Sequence, residues 1–263
     1  MTDRARRRKA MASEWVSIDV DGKPVDAYLA LPDAPGPHPG VVVAMHVFGM
    51  DRFVREKCDG LAQAGYAAIM PYLFHRSDVT NERLTGYAFE DPVRREVAMP
   101  LKDSLRDDEL LKDMLAGLAY LRSLPDVAGP FGVTGFCIGG RIAYMLAVRT
   151  DEFAACADFY GVDVDLPWGD GPDPMSLTAN LNCPLIGFFG DLDANPTPAD
   201  VDKLEAALRA EGKPFTFHRY PDGQHAFNDP YNPVRYNPEV SADSWPKLIG
   251  FFDSALKARE PVA

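Results

Sequence analysis

Short apolar runs rich in β-branched residues alternate along the chain with segments of helical periodicity, and this alternation constrains the fold most. Strands are predicted at 41–45, 66–70, 131–134, 154–160, 185–189 and 215–220, and helices at 51–64, 103–124, 139–149, 198–211 and 241–257. Such an order favours an α/β fold with a mostly parallel central sheet and helices on both faces. Reactive groups in these sheets gather beyond the carboxyl ends of the strands.

Some segments stand outside the alternation. Runs 15–20 and 26–31 flank Asp21-Gly22 and predict an antiparallel hairpin. Insertions 74–102 and 161–182 are polar and rich in Pro, Gly and Asp, so they either cover the site or form plain surface loops. In the 103–124 helix, the leucines near one face are Leu111, Leu115, Leu118 and Leu121.

A length of 263 residues suits one sizeable core, and we predict a single domain over residues 13–263. Residues 1–12 hold a run of basic side chains with no apolar stretch after it, which is typical of a flexible tail and not of a secretory signal. No apolar segment approaches the roughly 20 residues that span a bilayer.

Charge and cysteine content narrow the classes of partner. The formal net charge of −12 repels nucleic acid and anionic lipid, so we expect neither nucleic acid nor a membrane as partner. No two of the four cysteines form a C-x-x-C pair, and a chain of this size does not need disulfides to fold. We therefore expect four reduced thiols in the cytoplasm, at Cys58, Cys137, Cys156 and Cys183.

The strongest chemical signal is the motif Gly135-Phe136-Cys137-Ile138-Gly139-Gly140, which follows a strand pattern and opens a helical one. This is the setting of a G-x-nucleophile-x-G elbow, whose sharp turn needs small residues two places before and after the nucleophile. The side chain of Cys137 would then project at a helix N-terminus, where the helix dipole and free N–H groups favour a thiolate. A buried cysteine in a glycine-rich turn is the alternative.

A thiol nucleophile needs a proton acceptor, and only two histidines follow Cys137. His218 lies within an alternating strand pattern, which favours a place on the face of the sheet. His225 lies in the loop beyond that strand. Elbow enzymes of this kind have the chain order nucleophile, acid, histidine, and His225 fits both the order and the loop position.

An acid is needed to hold the histidine in one tautomer, and it should lie just past a strand end. Strand 185–189 leads into Gly190-Asp191-Leu192-Asp193, so two aspartates compete. Asp193 lies further past the strand end and is preferred, whereas Asp191 fits a turn position equally well.

These residues resemble the dienelactone hydrolase family, whose fold is the α/β-hydrolase fold. The likeness runs from about Val41 to the last helix and is carried by the two motifs above, by Gly223-Gln224-His225-Ala226-Phe227 and by His46-Val47-Phe48-Gly49. It implies cytoplasmic hydrolysis of lactones or related esters without a cofactor. It also implies an oxyanion hole made by the backbone N–H groups of Val47 and Ile138, one after an early strand and one after the nucleophile.

The chain departs from the family at His46, where well-studied members carry a glutamate in a Glu-x-Phe-Gly motif. His46 would act as an auxiliary base, bind a substrate carboxylate when protonated, or bond to backbone at the strand end. Arg76 and Arg235 are candidates to clamp a substrate carboxylate, with plain surface arginines as the alternative.

Together these features predict a hydrolase that cleaves a small ester or lactone with a triad of Cys137, His225 and Asp193, through an acyl-thioester intermediate. The alternatives are a general carboxylesterase without lactone preference and a non-catalytic α/β-hydrolase that binds a ligand. We expect no metal, and a monomer or small homo-oligomer.

Overall fold

The computed structural model describes residues 12–88 and 90–257. The predicted flexible tail, apart from Ala12 at the start of the first strand, lies outside the described residues. The strands are β1 Ala12–Val20, β2 Lys23–Leu31, β3 His38–Ala44, β4 Ala67–Pro71, β5 Val127–Phe136, β6 Ala155–Phe159, β7 Leu185–Gly190 and β8 Phe215–Tyr220. The helices are α1 Arg52–Gln63, α2 Asn81–Thr85, α3 Pro92–Asp103, α4 Asp107–Ser123, α5 Ile138–Arg149, α6 Pro198–Ala210 and α7 Pro238–Leu256.

All eight strands join one sheet, in the order β1-β2-β4-β3-β5-β6-β7-β8. β1 pairs with β2 and β2 with β4 antiparallel, and every other neighbouring pair is parallel. The predicted mostly parallel sheet is therefore confirmed, as is the hairpin at Asp21-Gly22, where both residues take the positive φ of a tight hairpin turn. The carboxyl ends of β3, β5, β6 and β7 meet at one edge of this sheet.

Helix boundaries differ from the sequence prediction mainly at α4. The predicted start at residue 103 is wrong, because Asp103 ends α3 and α4 begins at Asp107. The fully buried stripe of α4 includes Leu110, Met114, Leu118 and Leu121, whereas Leu111 and Leu115 are only partly buried. The apolar face is thus rotated by about one residue, since both sets satisfy helical spacing and only packing on the sheet selects one.

The two insertions are ordered by the body of the fold. Insertion 74–102 contains α2 and nearly all of α3, and insertion 161–182 contains a 3₁₀ helix at Met175–Asn180. Arg141 of α5 is fully buried and donates to Asp107 at 2.6 Å and to the carbonyl oxygens of Asp163 and Leu166 at 3.1 and 2.7 Å. One paired cation therefore ties the second insertion to α4 and α5.

Among the described helices, none combines the length and the apolar composition that crossing a bilayer requires.

Candidate active site

Cys137 occupies the single residue between β5 and α5, at the carboxyl edge of the sheet. Its backbone has φ 60° and ψ −120°, a conformation that costs a non-glycine residue of order 1–3 kcal/mol. The Cys137 N–H donates to the carbonyl oxygen of Phe159 at 3.0 Å, which ties the turn to the end of β6. The strained turn predicted from the motif is present, and it leaves the side chain partly exposed at the helix N-terminus.

Small residues are required on both sides of this turn. A Cβ on Gly139 would lie 2.2 Å from the carbonyl oxygen of Ala44, so the start of α5 would clash with the end of β3. A Cβ on Gly135 would lie 2.1 Å from the carbonyl oxygen of Gly139. Both contacts are with backbone that cannot move aside, which is the physical reason for the glycine spacing in the motif.

His225 stands between Cys137 and Asp193. Its ring interacts with the Cys137 thiol on one side, and its Nδ1 lies 2.8 Å from Oδ2 of Asp193 on the other. Asp193 is buried, and its second oxygen accepts the N–H of Asn195 at 2.9 Å. The ring of Tyr160 packs against the His225 ring at 4.9 Å between centroids. The carboxylate therefore holds the imidazole in the orientation that faces sulfur.

The electrostatics of the site favour an ion pair. Burial alone would raise the pKa of the Cys137 thiol, but His225 lowers this pKa below its usual value. Burial alone would lower the pKa of His225, yet Cys137 and Asp193 raise it to about 10. A lowered thiol pKa beside a raised imidazole pKa indicates that the two groups stabilise each other as thiolate and imidazolium.

The competing candidates lie elsewhere. Asp191 pairs with Arg219 at 3.1 Å and does not contact the histidine. His218 stacks on Phe188 within the sheet, with 5.4 Å between ring centroids, as its strand position predicts. Chain order and loop position selected His225, and distance past the strand end selected Asp193, which contacts His225.

The two expected oxyanion donors flank the nucleophile. The backbone N–H of Ile138 lies at the first position of α5 and contributes to lowering the pKa of the Cys137 thiol. Val47 follows β3 and lines the cavities that open at Cys137. Both residues therefore border the site, and their role as oxyanion donors stays a prediction.

His46 is 7% exposed, and both of its ring nitrogens face protein groups. Its Nδ1 accepts the N–H of Phe48 at 3.0 Å. Its Nε2 lies 3.0 Å from Oδ1 of Asp51, as an ion-pair contact without the alignment of a hydrogen bond. The structure therefore does not support the expectation that His46 binds a substrate carboxylate through a ring nitrogen.

A cavity of about 430 Å³ opens over Cys137, Ile138 and His225. Both insertions contribute to its wall, the first through Arg95, Met99 and Lys102 and the second through Val162 and Asp163. The insertions therefore line the site and are not plain surface loops.

Of the two arginines expected to clamp a substrate, only Arg235 lines this cavity. Arg76 is held by Asp113 through two hydrogen bonds of 2.7 and 2.8 Å and does not line the cavities at Cys137. We therefore remove Arg76 from the candidate site. Its position after a strand end suggested a place at the sheet edge, but Asp113 on α4 is the carboxylate that it meets.

Sequence reasoning missed Asp51, Arg94 and Arg95 as residues of the site. Asp51 caps α1 and also contacts His46 and Arg94. The start of a helix after Asp51 was visible in the sequence. Its contacts with His46 and Arg94 were not, since Arg94 comes from an insertion.

No group of three or more His, Cys, Asp or Glu side chains within residues 12–88 and 90–257 is arranged to hold a metal ion.

The chain has relatives of similar length among known proteins. A relative from Synechocystis, named as a carboxymethylenebutenolidase, is 33% identical over 92% of this chain and 96% of its own length. A Bradyrhizobium relative, named as a 2-oxo-3-(5-oxofuran-2-ylidene)propanoate lactonase, is 26% identical over 90% of this chain and 92% of its own.

A crystal structure from Klebsiella pneumoniae, described as a dienelactone hydrolase, superposes with a TM-score of 0.78 at 29% identity. The match covers 93% of this chain and 99% of that one. The family model of the dienelactone hydrolases matches residues 25–256, and the chain belongs to the dienelactone hydrolase family.

Proposed function

We propose that the chain hydrolyses a small ester or lactone through an acyl thioester on Cys137, with His225 as proton carrier and Asp193 as the group that orients it. One observation carries the proposal: the His225 imidazole lies 2.8 Å from the buried Asp193 carboxylate, and both residues line one cavity with Cys137. Relatives named as a butenolidase and as a lactonase support the class of bond.

In the first step the Cys137 thiolate attacks the carbonyl carbon, and a C–S bond forms. Negative charge develops on the carbonyl oxygen, where the N–H groups of Ile138 and Val47 stabilise it. The C–O bond of the ester then breaks, and the His225 imidazolium gives its proton to the leaving oxygen. For a lactone the released alcohol stays attached to the acyl group.

In the second step water hydrolyses the thioester. His225, now neutral, takes a proton from the water as it attacks the same carbonyl carbon, and the C–S bond breaks to restore the thiolate. Thioesters react readily with water, so this route suits esters and lactones better than amides. Asp193 stabilises the imidazolium in both steps without itself being protonated.

The cavity indicates the kind of substrate. Its volume of about 430 Å³ suits a small molecule, and exposed Arg95 and Arg235 both line it. A carboxylate on the substrate would meet these guanidinium groups.

The two proposed steps use no cofactor. The cytoplasm is the proposed location, since all four cysteines are unpaired. A monomer or small homo-oligomer remains the proposed state.

Removal of the nucleophile is the direct test. Cys137→Ala should lower the turnover of p-nitrophenyl acetate by about 10⁴-fold or more, because attack by sulfur is lost while the pocket remains. Cys183→Ala, a change at a buried cysteine away from the site, should retain activity. Melting temperatures and circular dichroism of both variants would establish that the fold is intact. Turnover by Cys137→Ala at the wild-type rate would reject the proposal.

A substrate panel separates the lactonase from a general carboxylesterase. Enol-lactones and open-chain esters of matched size would be compared by kcat/KM. A preference of about tenfold or more for the lactones supports the lactonase. Equal values would support a general carboxylesterase that uses the same three catalytic residues.

A further inference from the structure

A second imidazole–carboxylate pair is formed by His46 and Asp51, and the proposed reaction does not use it. His46 lines a small cavity together with Cys137. His46 and Asp51 are in contact at 3.0 Å, and the other oxygen of Asp51 lies 3.0 Å from Nη2 of Arg94. These three side chains are buried or nearly so. Asp51 is also anchored at the start of α1, where it accepts the N–H of Val54 at 3.4 Å. The pair is therefore fixed to a rigid element.

One hydrogen bond and one charge contact of the His46 ring define where its proton sits. Because Nδ1 accepts the Phe48 N–H, it carries no proton, and the ring proton sits on Nε2 beside Asp51. Asp51 thus selects the tautomer of His46 in the way that Asp193 selects the orientation of His225. Neither ring nitrogen is left to take a proton from substrate, so His46 does not act as an auxiliary base.

What the ring holds instead is a tight turn over residues 46–49. The N–H of Gly49 donates to the carbonyl oxygen of His46 at 3.0 Å and closes the turn, while the His46 ring receives the N–H of Phe48. The guanidinium of Arg94 lies 4.1 Å from the centroid of the Phe48 ring. Val47 stands between the two braced residues, and its N–H is the proposed second oxyanion donor.

We propose that His46 is a positioning residue of the oxyanion hole: together with Asp51 it locks the 46–49 turn so that the Val47 N–H stays aimed at the reacting carbonyl oxygen. This inference rests on the proposed function. Donors that are fixed before the reaction stabilise developing charge best, because they do not reorganise when it forms. Asp51 is fixed at the start of α1, it contacts the His46 ring, and the ring accepts the Phe48 N–H. Contacts of this kind with a rigid helix hold a backbone donor in place.

Two amide substitutions separate the contacts of the ring. In His46→Asn the side-chain oxygen takes the place of Nδ1 and can accept the Phe48 N–H. In His46→Gln the amide reaches toward Asp51 and leaves the Phe48 N–H without its acceptor. We expect His46→Gln to lower kcat for p-nitrophenyl acetate by about 100-fold with KM changed by less than about threefold. His46→Asn should recover most of that loss.

Two further measurements keep the test independent of a folding defect. Amide exchange at Phe48, followed by NMR, should be faster in His46→Gln than in His46→Asn, because the exchanging proton has lost its acceptor. Asp51→Asn keeps the helix cap but removes the carboxylate charge, and it should lower kcat by about tenfold with KM unchanged.

Cys137→Ala in parallel distinguishes the two failures. If Cys137→Ala is inactive and His46→Gln has wild-type kcat, the positioning role is overturned and the proposed function stands. Equal losses in His46→Asn and His46→Gln, or an equal change in kcat and KM, would also overturn it. If Cys137→Ala remains active, the proposed function fails, and the positioning role fails with it.

Discussion

The four cysteines show how neighbours decide the chemistry of one residue type. Cys58, Cys156 and Cys183 are buried, and burial raises the pKa of each thiol, to about 11 for Cys183. Cys137 meets the same burial but also an imidazole and the N–H of Ile138, so its pKa is lowered. Of the four thiols only this one has a lowered pKa, and only it stands on a strained turn.

This contrast predicts the pH dependence of alkylation by iodoacetamide. The thiolate forms as the pH rises through the Cys137 pKa, and His225, with a pKa of about 10, remains protonated over that range. The wild-type rate should therefore reach half its maximum below the usual thiol range, which centres at about 8.5. His225→Gln removes the cation that lowers the Cys137 pKa, so its midpoint should move upward.

Mass spectrometry of the alkylated site, followed as rate against pH, would measure this shift. Cys183→Ser serves as the matched control and should leave the profile unchanged. Coincident profiles for wild type and His225→Gln would contradict the ion pair.

At the scale of elements, the site depends on how closely α5 approaches the sheet. The first turn of α5 rests on the end of β3, and Gly139 is the point of contact. The same approach places the Ile138 N–H at the nucleophile. Stability and geometry are thus linked at this helix end.

Gly139→Ala tests that link. The added Cβ would lie 2.2 Å from the Ala44 carbonyl oxygen, so the helix must shift, at a cost of about 1–3 kcal/mol in the free energy of unfolding. Activity should fall further than stability because the oxyanion donor moves with the helix. Urea unfolding and kcat would be measured together.

Gly250→Ala in α7 is the matched control. A Cβ there has no heavy atom within 4 Å, so this variant should gain about 0.5–1 kcal/mol from helix propensity with unchanged activity. If Gly139→Ala kept the wild-type stability and kcat, the close contact between α5 and the end of β3 would not be required for either.

Across the whole molecule, the charge of the site opposes that of the chain. The net charge is −12, yet Arg95, Lys102 and Arg235 line the cavity at Cys137. Lys102 also pairs with Asp163 at 3.3 Å in the same wall. A cationic patch in an acidic molecule attracts an anion only at short range, where local charges exceed the overall field.

Arg235→Gln should therefore affect charged substrates selectively. We expect KM for a p-nitrophenyl half-ester that carries a free carboxylate to rise by about tenfold, and KM for a neutral ester of the same length to stay unchanged. Added salt should reduce the difference, because it screens exposed charges.

Arg209→Gln on α6 makes the same change of charge at an exposed position outside the cavity and should alter neither KM. A parallel rise for both esters in Arg235→Gln would indicate a steric role and exclude a charge-selective one.

The sequence was sufficient to predict the sheet, the hairpin, the elbow and the three residues that meet there. Each follows from a local rule: period along the chain, glycine where a Cβ cannot fit, and order of nucleophile, acid and histidine. Asp193 could be preferred over Asp191 because the number of residues past a strand end can be counted in the sequence.

Only the tertiary structure decided which face of α4 is buried, which carboxylate pairs with Arg76, and which groups contact the His46 ring. These outcomes depend on partners distant in the chain: Asp113 for Arg76, and Arg94 with Asp51 around His46. Local sequence encodes backbone conformation, whereas the pairing of buried charges is settled when separate segments pack and each group must find a partner away from water.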